Sequence, residues 1–364
     1  MKKISTFILR VFVTFCFCAI VGTSVFAQTV RRVNKTPGLN DPSIYTSVQA
    51  AHDASGAGDI IYVEPTDVDA GSYGNVTLNR RVTIIGTGYD LGNTPNTSFD
   101  KRGVSLGNLS FDNGSAGSLV MGMSIGGVGI YDINCTITRC TMNSLGLGQS
   151  GTLLGGIYSQ GNYATITNNR FESGISGSGV AGGQAINCII TNNIFNNRAG
   201  AVYINSFSGA VINYNTFYCN GGSILNDVDG STVTNNIFDA RDRTLGYLVM
   251  GANSNGTTVS NNLCTNVAGL PVGGGNVNSA NPNLIFTVGN PWSPYSNDAN
   301  LQLATSSPAK TVGPGSTPIG VFAGNNPYVL SGVPNVPVIT TFTNTGSGTT
   351  ATPLSVTISV RSAN

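Results

Sequence analysis

The sequence predicts an all-β fold in which short parallel strands stack along one axis as a continuous coil. Three observations carry that expectation. The first is a recurring phrase: TITNNRF from Thr165, IITNNIF from Ile189, VINYNTF from Val211, TVTNNIF from Thr232 and TVSNNLC from Thr258. A divergent earlier copy, TITRCTM, starts at Thr136. Aligned on the apolar residue, the copies put Ile137, Ile166, Ile190, Ile212, Val233 and Val259 in one column, at steps of 29, 24, 22, 21 and 26 residues. A period near that length, built from one β pattern and turn residues, marks a stacked array. The second observation is what fills the intervals: Gly, Asn and Ser, with no helical stripe. The third is charge. Charged residues make up 9% of the chain, against about 25% in ordinary domains. With 40% hydrophobic content, that excludes a charge-rich disordered chain and suits a coil with an uncharged polar surface.

Within each copy, apolar residues alternate and then meet an Asn pair. Alternation of period two argues for a strand with one buried face. The Asn pair argues for a turn, because Asn tolerates left-handed backbone angles. Asn169, Asn193, Asn215, Asn236 and Asn262 form a second column, headed by Cys140. Phe171, Phe195, Phe217 and Phe238 form a third, flanked by Met142 and Cys264. In a coil of parallel strands, equivalent residues stack at roughly 4.8 Å. The Asn side chains should then bond along a ladder, and the Phe rings should fill the core. A leucine-rich repeat needs a Leu ladder, which is missing, and a propeller blade needs a longer period.

In chain order, residues 1–27 read as a secretory signal. Lys2, Lys3 and Arg10 supply the positive start, Val11 to Val21 the apolar run, and Val25 and Ala27 the small residues before a cut at Gln28. The run is too short for a comfortable membrane span. Residues 28–43 read as an extended lead-in, closed by Pro37-Gly38 and Asp41-Pro42. The coil is expected over 44–312, opened by a short capping helix within 44–55. Loops are expected at Pro65 to Gly74 and Gly88 to Arg102, and over the end of the coil at Gly269 to Pro294. Residues 313–364 are a Pro/Gly-rich C-terminal extension ending in one alternating strand. It reads as a cap over the last rung's open strand edges, or alternatively as a sorting or attachment signal.

The chain resembles the right-handed parallel β-helix family, with its pectin-lyase-like architecture. The NN-x-F phrase carries the resemblance. So do SVQAAHDASGAGDIIYVEP from Ser47 and YGNVTLNRRVTIIGTGY from Tyr73, which look like the capping helix and first rungs. NPNLIFTVG from Asn281 and NLQLATSSPAKTVG from Asn300 look like the way out of the coil. The resemblance covers roughly residues 44–325, and the tail is similar to those of secreted β-helix proteins of Gram-negative bacteria. It implies a single right-handed parallel β-helix with an N-terminal cap and a short C-terminal β extension, placed outside the cell. It implies little about activity, because one fold hosts many. Lyases and hydrolases of this architecture carry clustered carboxylates, with GHG, paired DD or RxPxxR elements. None of these elements occurs here.

The best charged constellation lies on the fourth and fifth full copies. Asp227 and Asp229 precede the Val233 strand; Asp239, Arg241, Asp242 and Arg243 follow it. Glu172 and Asp239 should share a column three rungs apart, roughly 14 Å, and Arg198 should share another with Arg241. Carboxylates ligate hard cations and guanidinium forks suit uronates, so calcium or an acidic sugar chain would fit such a patch. A solvated turn with local ion pairs is the alternative. The carboxylate separation exceeds the gaps of glycosidases. Tyr203 and Tyr218, on successive rungs outside the Phe ladder, could stack on sugar rings or simply pack. The single His52 belongs to the capping helix, as a surface or packing residue.

Removing Lys2, Lys3 and Arg10 takes the formal net charge from +1 to about −2. No basic run exists, so nucleic-acid binding has no electrostatic support. No further apolar run predicts a transmembrane span in the mature chain. Cys135 and Cys188 share a column but sit two rungs apart, roughly 10 Å, too far for a bridge. These two, with Cys140, Cys219 and Cys264, read as small buried thiols. One His and no CxxC pair argue against zinc. The expected function is that of a secreted or surface-displayed non-catalytic β-helix, binding polysaccharide or another cell-surface component, with calcium as the one cofactor it could take. The alternatives are a divergent polysaccharide lyase or glycoside hydrolase, and a structural spacer.

Overall fold

The computed structural model describes residues 28–65, 71–94, 98–147, 161–177, 183–196, 203–219, 223–242, 249–251, 254–267, 269–292 and 297–362. The predicted signal segment lies outside them. The described chain is a parallel β-helix. In each phrase a three-residue strand ends at a residue with left-handed backbone: Arg139, Asn168, Asn192, Tyr214, Asn235 and Asn261, with φ between 53° and 59°. The first member of the Asn pair therefore makes the bend, which Asn tolerates better than most residues. The second member turns inward, and the next strand starts immediately after it.

Repetition of this corner builds two parallel sheets of 11 and 13 strands among the described residues. The first runs from Ile44–Tyr45 and Val30–Val33 to Thr258–Ser260. Its register stacks Ile137, Ile166, Ile190, Ile212, Val233 and Val259. The second sheet stacks Met142, Phe171, Phe195, Phe217, Phe238 and Cys264. It forks at the strand Thr141–Leu147, which pairs with Arg170–Phe171 at one end and with Ile175–Ser176 at the other. Later rungs thereby gain a third face, carried by Ile204–Ser208 and Leu225–Asp229.

The four Phe rings are stacked at centroid distances of 5.0, 4.5 and 4.8 Å, close to the inter-strand spacing of about 4.8 Å. Beside them the Asn column forms a ladder. Each side-chain oxygen accepts from the backbone N–H of the previous Asn, at 2.9 Å from Asn169 to Asn193 and 2.8 Å from Asn215 to Asn236. Each Nδ2 donates to a carbonyl of the previous rung, as Asn193 does to Ile166 at 2.9 Å. The corner would otherwise bury unpaired N–H and C=O groups, and the ladder supplies their partners. Asn276 extends the column beyond the last phrase, its Oδ1 accepting from Asn262 N–H at 3.0 Å. All five cysteines in the described residues are free and buried. Cys135 and Cys188 sit in the small-residue column beside Ala164 and Ala210.

The N-terminal end is closed by the helix Val48–Asp53, capped by Ser47, whose Oγ accepts from Ala50 N–H at 3.1 Å. His52 is a packing residue there, with Nε2 accepting from Asn79 N–H at 3.3 Å. The lead-in contributes the strand Val30–Val33, paired on one side with Ile60–Val63 and on the other with Ile44–Tyr45. At the far end, the segment 269–280 closes the last rung, with Cys264 N–H bonding Val277 O at 2.8 Å.

The C-terminal extension does not lie over the last rung. It runs back along the side of the coil, past the corners in reverse order. Gly320 N–H bonds Asn235 O at 2.9 Å. Asn192 Nδ2 donates to Val321 O and Ala323 O at 3.0 and 2.8 Å. Asn168 Oδ1 accepts from Val329 N–H at 2.9 Å, and Arg139 donates to Val333 O at 2.8 Å. Beneath this strap, the outward-facing Ile194, Ile237 and Leu263 pack with Ile285, Trp292, Ile319, Val321 and Tyr328 as a second apolar cluster. The side was covered because those outward positions are apolar, and removing them from water is favourable by about 25 cal/mol per Å². The chain ends in an antiparallel hairpin, Pro337–Asn344 with Val356–Ser362.

Candidate functional site

One outward column of the second sheet changes character along the coil. In register it reads Ser105, Ser124, Thr141, Arg170, Ile194, Thr216, Ile237 and Leu263. The strap covers the apolar end and turns away at Arg170. The hydroxyl end stays open as a groove of about 480 Å³. Ser105, Ser124, Thr141 and Asn143 line it, Gly126 leaves its floor bare, Tyr89 and Asp90 form one wall, and Arg170 and Glu172 close its end.

Arg170 organises that end. Its Nη1 reaches Asp90 Oδ2 at 2.5 Å and Asp298 Oδ1 at 3.3 Å, and its Nε lies 3.1 Å from Glu172 Oε1. Its guanidinium carbon lies 5.3 Å from the centroid of the Tyr89 ring. Glu172 also accepts from Asn196 Nδ2 at 3.1 Å. Tyr89 is buried and shares a short hydrogen bond with the Tyr328 hydroxyl, which donates to Asp298 Oδ2 at 2.6 Å. Burial, and then the Asp298 carboxylate, push the Tyr89 phenol well above its ordinary value, so it stays protonated. Tyr328 and Asp298 belong to the C-terminal third of the chain, so segments distant in sequence back the groove wall at Tyr89 and Arg170.

The residues singled out in the sequence divide among three places. Asp227 and Asp229 lie on the third face, half-buried, and converge on Gln184, whose Nε2 donates to their carboxylates at 2.8 and 3.1 Å. Asp229 also accepts from Asn255 N–H at 2.7 Å. Asp239 is fully buried. It takes a forked pair from Arg241, at 2.9 Å from Nε and 2.6 Å from Nη2, and a third bond from Trp292 Nε1–H at 2.8 Å. Burial pushes its carboxyl above the usual range, against the pull of Arg241 and Trp292. Arg241 further donates to Gly289 O and Pro282 O at 2.6 and 3.1 Å. This knot fastens the start of the strap to the coil; it is not a solvated patch.

Tyr203 and Tyr218 are not sugar platforms in this fold. Tyr203 is fully buried, edge-on to Phe195 and Phe217 at 6.3 and 6.1 Å, with its hydroxyl bonded to Tyr218 O. Tyr218 stacks beneath Trp292 at 5.2 Å and donates to Asp242. Glu172 and Asp239 do share a column, next to Phe171 and Phe238, but Trp292 seals Asp239 while Glu172 is exposed in the groove. Arg198 and Arg243 lie outside the described residues. Among the described residues, no three His, Cys, Asp or Glu side chains group as ligands for a metal.

Sequence reasoning passed over Ser105, Ser124, Thr141, Asn143 and Arg170. For all but Asn143 their signal was the position just before the large inward residue of each rung (Leu106, Ile125, Met142, then Phe171 onward), which is hydroxyl-bearing in early rungs and mostly apolar after Arg170. No protein-family model matches the chain, no curated protein matches it, and no solved structure matches it.

Proposed function

We propose that this chain is a non-catalytic parallel β-helix protein, secreted or displayed on the outer cell surface, that binds a polysaccharide along the groove beside Arg170. One observation carries the reading: an open groove whose hydroxyl groups, on Ser105, Ser124 and Thr141, repeat at the strand spacing, about 4.8 Å, with the Asn143 amide beside them, and whose carboxylates are engaged. Asp90 is held by Arg170, and Glu172 by Arg170 and Asn196. Neutral donors and acceptors in a groove of this size suit the hydroxyls of a few sugar rings. The absence of GHG, DD and RxPxxR elements supports binding over turnover.

The test is a binding and turnover screen of residues 28–364 against a glycan panel, with and without calcium. The expected result is binding without release of unsaturated or reducing ends, weakened about ten-fold by Ser124→Tyr, which fills the groove. Release of such ends would favour the alternative, a divergent polysaccharide lyase or glycoside hydrolase. Binding that Ser124→Tyr leaves intact would move the site elsewhere on the coil.

A further inference from the structure

Among the described residues, the C-terminal hairpin gathers several exposed apolar side chains: Ile339, Phe342, Val356, Ile358 and Val360. Its register pairs Ile339 with Val360, Phe342 with Ile358 and Asn344 with Val356. Residues directly opposite in an antiparallel pair share a face, so Ile339, Phe342, Val356, Ile358 and Val360 form one apolar face. Phe99 leans on it at Phe342, with ring centroids 5.7 Å apart. Ile358 and Val360 are nevertheless 52% and 60% exposed. Among the described residues the sheet has two strands, and a lone hairpin is marginally stable in water. The outer strand, Val356–Ser362, presents a free edge with no proline, no irregularity within it and one charge, Arg361. Exposed edges of folded proteins are normally blunted by such devices.

That outer strand also reads nearly the same in both directions. Val356, Thr357, Ile358, Ser359 and Val360 alternate apolar and hydroxyl about Ile358. We infer that this strand pairs antiparallel with the same strand of a second copy, about a two-fold axis through Ile358. Val356 then faces the partner's Val360, Ile358 faces the partner's Ile358, and Thr357 faces the partner's Ser359. Arg361 falls opposite the partner's Ser355. The two arginines end roughly 20 Å apart along the strands, beyond the screening length of about 8 Å at physiological salt. A two-fold interface requires one patch to complement itself, and this strand does. A slip of one residue would set hydroxyls against apolar side chains, so the register is specified. A foreign strand would need no palindrome. The pairing gives a four-stranded sheet joining two coils, and it is independent of the polysaccharide reading.

Light scattering coupled to size-exclusion chromatography tests it on residues 28–364 at tens of micromolar. The expected mass is twice that of the chain. Ile358→Lys and Ile358→Glu, each setting like charges face to face across the axis, should run as monomers with the coil's melting temperature unchanged. An equimolar mixture of the two should recover the dimer, and Ile358→Val should keep it. A monomeric unsubstituted chain, a dimeric Ile358→Lys protein, or a mixture that stays monomeric would each overturn the inference.

Discussion

Substituting Asn215 by Leu removes one member from the middle of the ladder while keeping the number and branching of the side chain's heavy atoms. The Asn215 Oδ1 accepts from Asn193 N–H at 2.9 Å and from Asn193 Nδ2 at 3.0 Å. Its Nδ2 donates to Ile190 O at 2.8 Å and to Asn236 Oδ1 at 3.0 Å. Asn193, Asn215 and Asn236 are all fully buried, so water cannot replace the lost partners. The two Asn193 donors alone, at about 1–3 kcal/mol each for a buried polar group left unpaired, put the loss at roughly 2–6 kcal/mol. At an unfolding entropy of about 2.1 cal/mol/K per residue, 1 kcal/mol moves the melting temperature of a chain of this length by roughly 1.4 °C; a drop of at least about 3 °C is expected. Asn213→Leu is the matched control. Asn213 faces outward, half-buried, and its Oδ1 accepts from Asn235 Nδ2 at 3.0 Å; its replacement leaves that single donor unpaired and should cost about 1 kcal/mol. Thermal melts followed by circular dichroism compare the two. Equal melting temperatures for both variants would refute the ladder as a source of stability.

Three further outcomes follow from the same structure. Asp239→Ala leaves the Arg241 guanidinium buried without its partner, a loss of about 3–5 kcal/mol; it should also red-shift the emission of Trp292, the only tryptophan, and an unmoved spectrum would detach that residue from the strap's anchorage. Burial raises the thiols of Cys135, Cys188 and Cys264 from 9.0 to about 11 and that of Cys140 to about 12. Between those limits the unfolded chain ionises and the folded one does not, so stability should fall as pH rises above about 9, a slope that Cys188→Ala should make shallower; at pH 8 a thiol reagent should label none of them before denaturation. Burial lowers the pKa of His52 below 6.5, so the unfolded chain binds the proton first and stability should drop as pH falls below that value. His52→Gln should flatten that acid limb of the melting curve, and an unchanged limb would assign it to other groups.

The lead-in and the C-terminal extension show where local pattern stops being informative. Val30–Val33 pairs with strands 12 and 30 residues away in sequence, and its four residues carry no copy of the phrase, so nothing local distinguished a strand from an extended linker. The strap has no period of its own. Its docking could have been suspected from Ile194, Ile237 and Leu263, which are apolar at positions that face outward once the strand alternation is applied. That signal is faint in any one phrase, because an outward Ile or Leu in one rung is unremarkable until the same column is followed through several rungs. Tyr218 is covered for the same reason: Trp292, from the distant C-terminal third, stacks on it. Tyr203 instead turns inward against Phe195 and Phe217 of the coil itself.

By itself the sequence determined the coil. Its columns of Ile or Val, Asn and Phe recur at nearly the same interval, and in a parallel stack each residue meets its own equivalent one strand spacing away, so the periodicity already contains the contacts. The left-handed corners, the Asn ladder, the Phe stack and the free cysteines all follow from that one-dimensional order. Only the tertiary structure decided which outward faces water would see. Covering a face depends on whether a segment distant in sequence returns to it, as Tyr328 returns to Tyr89 across 239 residues and Trp292 to Asp239 across 53. The free energy of that return is a sum of apolar area and hydrogen bonds made between unrelated stretches of chain. It sealed Asp239 and Tyr218 inside the molecule and left the hydroxyl end of one column open as the groove.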